Sequence, residues 1–136
     1  MLKIIYGRRG SGKTKKMIDR ANDDLKNTNG DIVFIDKDNH CMLDLNHDIR
    51  YINAKEYGKV TQESFLGFIC GVMASNYDIE KIYIDGIPGL FDVESLETVL
   101  EKVSKLAVKY NVHVMMSISG KKSDIPEFVK GYIVED

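Results

Sequence analysis

The sequence predicts an α/β protein, a three-layer α/β/α sandwich built on a mostly parallel sheet. Short apolar runs rich in β-branched residues alternate along the chain with longer segments whose apolar residues recur at helical spacing. Strands that alternate with helices are typical of a parallel sheet covered on both faces. At 136 residues, with 43% hydrophobic and 29% charged residues, the chain has the size and composition of one globular domain over residues 1–136.

The first strand is predicted at residues 2–6, within an apolar and β-branched run. A helix over about residues 13–27 follows, since its apolar residues share one face. That face carries Met17, Ile18, Ala21 and Leu25. The turn residues at 27–30 end this helix, and a second strand at 32–35 leads to Asp36.

The middle of the chain is less regular. Residues 37–48 are polar and irregular, and a short strand is predicted at 49–52. The helix predicted at about 61–76 has an apolar face. That face carries Phe65, Leu66, Ile69, Val72 and Met73. The strand at 82–85 then ends in the carboxylate Asp85.

The last third of the chain repeats this alternation. Asp92 is the predicted cap of a helix over about 93–110. A buried strand is predicted from 112 to 118. His113 lies in this apolar strand and is predicted to belong to the core. A final strand is predicted at 132–134. Ligands bind parallel sheets at the carboxyl ends of the strands. We therefore expect a site formed by the loop at 7–14 together with Asp36, Asp85 and Ser117.

The loop after the first strand carries a phosphate-binding pattern. It reads Gly7-Arg8-Arg9-Gly10-Ser11-Gly12-Lys13-Thr14, which fits the Walker A pattern G-x-x-x-x-G-K-[ST] between a strand and a helix. Backbone N–H groups of such a loop cradle phosphate oxygens, and the helix that starts there adds its positive dipole end. Lys13 can reach the terminal phosphates, and the Thr14 hydroxyl can ligate Mg²⁺. The whole loop is therefore predicted to bind a nucleotide.

Several polar residues outside the motif are further candidates. Asp85 is the predicted second Mg²⁺ ligand, although an Asp85-Gly86 pair is also typical of a turn. Ser117 is predicted to contact the terminal phosphate, with a plain strand-end serine as the alternative. Arg8 and Arg9 can touch phosphate or a partner subunit, or face water.

Hydrolysis of a nucleotide would need a group that addresses the attacking water. The candidates are Asp36 and Asp38, acting with Lys13, although the two aspartates could equally cap a turn; Glu56 is a weaker candidate. We expect them at the end of a strand neighbouring the loop strand.

These motifs resemble the P-loop NTPase superfamily. The loop at 7–14, the strand ending in Asp85 and the closing segment 123–134 are similar to its additional-strand branch, which includes RecA-like ATPases and thymidine kinases, and to small bacterial P-loop proteins. The resemblance implies a P-loop core that binds ATP with Mg²⁺. Many such ATPases place glutamate directly after the strand-end aspartate, where this chain has Gly86. That departure predicts slow hydrolysis. The zinc module and lid of thymidine kinases are missing.

Composition limits the other function classes. A net charge of −2 and a pI of about 5.9 provide no overall positive field for nucleic acid. Cys41 and Cys70 form no metal-binding pair, and no apolar run has transmembrane length, so we expect a cytoplasmic protein. The sequence predicts slow hydrolysis of Mg-ATP or another nucleoside triphosphate, with a protein partner or self-association left open. The alternatives are a nucleotide-dependent switch or scaffold without hydrolysis and, less favoured, a small-molecule kinase.

Overall fold

The computed structural model describes residues 1–37, 42–87 and 95–134. Its strands are β1 (Leu2–Gly7), β2 (Asp31–Asp36), β3 (Arg50–Asn53), β4 (Ile79–Ile87) and β5 (His113–Ser119). Its helices are α1 (Lys13–Leu25), α2 (Gln62–Ser75), α3 (Leu96–Tyr110) and the short α4 (Glu127–Lys130). Each predicted strand and long helix is therefore present within a few residues of its expected bounds, except the last strand.

The strands form one parallel sheet in the order β1-β5-β4-β2-β3. At the outer edge of β1, the predicted last strand is reduced to a single bridge between Ile4 and Ile133. The sheet thus places β5 between β1 and β4, so the strand that leads into the loop does not pair directly with the strand that carries Asp85. All five described strands run the same way, and their carboxyl ends lie at one edge.

Apolar residues cover both faces of the sheet, which explains the continuous hydrophobic strands. One cluster joins α1 to the face that bears Ile5, Phe34 and Tyr83. A larger cluster on the opposite face joins α2 and α3 to the alternate strand residues, such as Ile4 and Ile35. The three-layer α/β/α arrangement predicted from the sequence is confirmed.

The structure corrects three local expectations. Helix α3 starts at Leu96, and its N-cap is Ser95, whose side chain accepts a hydrogen bond from the Thr98 N–H. The predicted cap, Asp92, lies outside the described residues. His113 is exposed at the start of β5 and does not belong to the core.

The third correction concerns β2. This strand pairs with β3 and β4, so Asp36 does not lie on a neighbour of the loop strand as the sequence predicted.

In the part of the chain that the structure describes, no helix is long and apolar enough to cross a membrane.

Candidate functional site

The loop between β1 and α1 folds into a tight turn. The N–H of Ser11 donates to the carbonyl of Arg8 at 3.0 Å, and the N–H of Lys16 donates to the carbonyl of Gly12 at 3.1 Å as α1 begins. Gly10 and Gly12 have φ angles of 83° and 89°. Such left-handed conformations are accessible to glycine at little cost, whereas other residues are strained there. The glycines of the motif thus have a backbone role that agrees with the predicted loop.

Lys13 is held inside this turn. Its side chain is buried, with 9% of its surface exposed, and Nζ donates to the Arg8 carbonyl at 3.0 Å. Burial is the main reason why the pKa of Lys13 is lowered; Asp85 opposes this shift, while Lys37 and Arg9 add to it. The ammonium is therefore placed among two further cations and one carboxylate.

Asp85 joins the loop to the sheet. Thr14 Oγ1 donates to Asp85 Oδ2 at 2.9 Å, and Ser117 Oγ donates to Oδ1 at 2.6 Å. The same Ser117 oxygen accepts the N–H of Gly86 at 2.8 Å. Three residues predicted to act together, from α1, β4 and β5, are thus brought into direct contact. Their proximity was predicted from the strand ends, and the hydrogen bonds supply the geometry.

The backbone next to Asp85 departs from regular strand pairing. The register between β4 and β5 shifts between Ile84 and Ile87, and Gly86 has a φ of 98°. A Cβ at Gly86 would lie 2.9 Å from Cδ of Lys37. Position 86 is therefore restricted by both backbone conformation and space, which gives a structural reason for the missing glutamate.

Two cavities flank the loop. The smaller, of about 310 Å³, lies over the carboxyl ends of β4 and β5. It is lined by Arg9, Gly10, Gly12, Lys13, Thr14, Lys37, Asp85, Gly86, Ser117 and Ser119. The larger, of about 1170 Å³, lies beside β1 and is lined by residues that include Arg8, Lys16, Ile125 and Ile133. Lys13 lines both cavities, so they meet at the loop.

Asp36 has a different environment from Asp85. It is 1% exposed and accepts a hydrogen bond from the Tyr51 hydroxyl at 2.9 Å. It does not belong to the described lining of the smaller cavity, although its neighbour Lys37 does. Asp38, the other predicted catalytic acid, lies outside the described residues. The catalytic roles of Lys13, Asp36 and Asp38 stay predictions.

Lys37 is the site residue that the sequence analysis missed. It follows β2 directly, so its position after a strand end was a usable signal. That signal was weak because lysines are common at the surface and because the strand order that brings β2 beside β4 is not visible in the sequence.

The residues present fit a nucleotide with Mg²⁺. Magnesium in nucleotide sites takes one or two protein oxygens and completes its shell with phosphate and water. The Thr14 hydroxyl and the Asp85 carboxylate are hard oxygen donors 2.9 Å apart. Among the described residues, no group of three or more His, Cys, Asp or Glu side chains could hold a metal. Because Mg²⁺ in nucleotide sites needs only one or two protein oxygens, Thr14 and Asp85 suit an ion that arrives with a phosphate ligand.

Comparison with known proteins supports the fold. No family model matches the sequence, and no curated protein matches it. Among solved structures, the flagellar accessory protein FlaH from Methanocaldococcus jannaschii is similar, with a TM-score of 0.62 and 16% identity over 96% of this chain and 65% of that chain. This chain therefore spans only part of the length of that protein. The likeness and the parallel sheet support a P-loop, RecA-like fold, and a shared fold does not by itself establish a function.

Proposed function

We propose that this protein binds a nucleoside triphosphate, ATP above all, together with Mg²⁺ at the loop 7–14. The observation that carries the proposal is the hydrogen bond of 2.9 Å between Thr14 and Asp85. It joins Thr14, which the motif assigns to the metal, to Asp85, the strand-end carboxylate predicted as the second Mg²⁺ ligand, although the two lie far apart in the chain. Arg9, Lys13 and the N-terminus of α1 supply positive charge to the same cavity.

The two cavities suggest which part of the nucleotide each of them would hold. The smaller one is polar and cationic, which suits the phosphates and the ion, with Ser117 near the terminal phosphate. The larger one includes apolar side chains such as Ile125 and Ile133, which suit a nucleoside. It is also lined by five cations, which suit the phosphates next to that nucleoside: Arg8, Lys13, Lys16, Lys122 and Lys130. The insertion of β5 between β1 and β4 supports an assignment to the additional-strand branch of the P-loop fold.

We further propose that hydrolysis is slow. Among the described residues that line the smaller cavity, Asp85 is the only carboxylate, and it already accepts hydrogen bonds from Thr14 and Ser117. The same observation favours the second candidate function, a nucleotide-dependent switch that binds without useful hydrolysis.

The test of binding is Lys13→Ala. The variant loses a charge-assisted contact to phosphate, so its affinity for Mg-ATP should fall by roughly 10- to 100-fold. Titration calorimetry measures the affinity, and Lys102→Ala, an exposed lysine of α3, is the matched control. Equal affinities of parent and Lys13→Ala for Mg-ATP would contradict the proposal.

Release of phosphate from saturating Mg-ATP separates the two candidate functions. A rate above that of Lys13→Ala supports the ATPase. A parent protein that binds ATP without any such rate supports the switch.

A further inference from the structure

We propose that Lys37 binds the terminal phosphate of the nucleotide and makes the site prefer a triphosphate over a diphosphate. The inference rests on the proposed nucleotide site and assigns a specificity residue within it. Neither the motif nor the strand-end aspartate requires a cation at this position.

The first observation is the packing of the Lys37 stem. A Cβ built on Gly86 would lie 2.9 Å from Cδ, 3.4 Å from Cγ and 3.5 Å from Cε of Lys37. The methylene groups of Lys37 therefore cover the backbone at Gly86, beside Asp85. A lysine stem that packs on backbone restricts where its ammonium can go. Lys37 also lines the smaller cavity, so its charge can act on a ligand held there.

The second observation is the balance of charge. The described cavity lining contains the cations Arg9, Lys13 and Lys37 against the single carboxylate Asp85. Lys13 and Lys37 line the same cavity, although they follow different strands. Bringing like charges together is unfavourable unless an anion screens them. A polyphosphate that enters the cavity supplies that anion.

The third observation is the position of Lys37 in the sheet relative to the loop 7–14. The strand order is β1-β5-β4-β2, so Lys13 follows the first strand of this series and Lys37 follows the last. These strands are separated by about 14 Å, three spacings of ~4.8 Å. The loop holds the phosphates from the β1 side. Lys37 therefore meets the end of the phosphate chain that lies farthest from the nucleoside, which is the terminal phosphate.

Glycine at position 86 leaves the space that Lys37 needs to reach the cavity. A side chain there would occupy the space that the Lys37 stem fills. The Lys37 stem thus occupies the space beside position 86, where many P-loop ATPases carry a glutamate. This exchange favours recognition of the triphosphate over activation of water.

The experiment compares Lys37→Met with the parent. Methionine keeps an unbranched stem over Gly86 and removes the charge. Lys105→Met, an exposed position on α3, removes the same charge elsewhere and is the matched control. Lys37→Arg restores a cation. Calorimetry with Mg²⁺ gives the affinities for a non-hydrolysable ATP analogue and for ADP, with the corresponding guanine nucleotides run in parallel, and thermal melting checks that each variant is folded.

We expect Lys37→Met to bind the triphosphate analogue roughly 10-fold or more weakly than the parent and ADP within about twofold. Lys37→Arg should regain most of the preference, and Lys105→Met should match the parent. Equal losses for both nucleotides, or no loss for either, would overturn the role of Lys37. A parent that binds neither adenine nor guanine nucleotides would instead refute the proposed site itself.

Discussion

At the scale of single residues, the candidate site is organised around a buried carboxylate. Asp85 is 5% exposed, and burial of a charged group is costly unless hydrogen bonds compensate it. The hydroxyls of Thr14 and Ser117 supply those hydrogen bonds. Because each hydroxyl comes from a different element, the carboxylate also aligns α1 and β5 with the end of β4. Under the proposed function, the Thr14 hydroxyl and the Asp85 carboxylate are the oxygens that Mg²⁺ would use.

Asp85→Asn tests this role. The amide keeps the size of the side chain and removes the charge that attracts the cation. We expect the variant to lose most of the gain in nucleotide affinity that Mg²⁺ provides, while its affinity in the presence of EDTA changes much less. Calorimetry with and without Mg²⁺ measures both quantities, and Asp19→Asn on the exposed surface of α1 is the control. A loss of the same size under both conditions would make Asp85 structural.

How well the sequence predicted each site residue depends on how far apart in the chain the interacting residues lie. The loop 7–14 was predictable because its glycines, lysine and threonine lie in one continuous motif. The approach of Asp85 and Ser117 was predictable in outline because both lie near the carboxyl ends of buried strands. Lys37 was not, because its role depends on the strand order and on the space above Gly86. The exposure of His113 was also hidden, since strand ends and strand interiors share the same apolar context.

At the scale of elements, the start of α3 shows that a contact with another helix can help to fix the residue at which a helix begins. Aspartate and serine are both good N-caps, and Asp92 was predicted from the sequence while Ser95 was not considered. In the structure, Ser95 Oγ accepts from the Thr98 N–H at 3.3 Å, and the Ser95 N–H donates to Gln62 Oε1 of α2 at 3.2 Å. The second contact links two helices that are distant in the sequence. It could not be predicted from the local pattern around residue 92.

Ser95→Ala should therefore destabilise the protein. Loss of the capping oxygen leaves an N–H at the start of α3 without its partner, and such substitutions cost about 1 kcal/mol. The free energy of unfolding from urea denaturation measures the effect. Ser104→Ala, inside the same helix, is the control and should be neutral or slightly stabilising because alanine favours helices. If the two variants have the same stability, Ser95 does not cap α3.

At the scale of the whole molecule, alternation of strands and helices predicted the layers but not the strand order. A parallel sheet follows from the alternation, since a helix that crosses one face returns the chain to the start of the next strand. The insertion of β5 between β1 and β4, however, depends on which strands pair, and the sequence carries no local record of that pairing. The last strand was overestimated because Tyr132-Ile133-Val134 is apolar, whereas only a single bridge at Ile133 joins the sheet.

The strand order also bears on the rate of the proposed hydrolysis. Asp36 is the last residue of β2, one spacing from the strand of Asp85 but three spacings, about 14 Å, from the loop strand. It is buried and bound to the Tyr51 hydroxyl, and aspartate is one methylene shorter than glutamate. A misplacement of about 1 Å can reduce a rate on the order of a hundredfold. These facts support slow intrinsic turnover, which a partner that supplies an arginine would raise.

We expect Asp36→Asn to abolish the residual release of phosphate while leaving ATP affinity nearly intact, since the amide can still accept the Tyr51 hydrogen bond. Asp38→Asn is the parallel test of the other predicted acid. The rates are measured at saturating Mg-ATP with Lys13→Ala as the blank, and urea denaturation checks that Asp36→Asn keeps the parent's stability. If both aspartate variants release phosphate at the parent's rate, neither residue is the base. A negligible rate in the parent would then favour the nucleotide switch, because the sheet would hold no acid within reach of the attacking water.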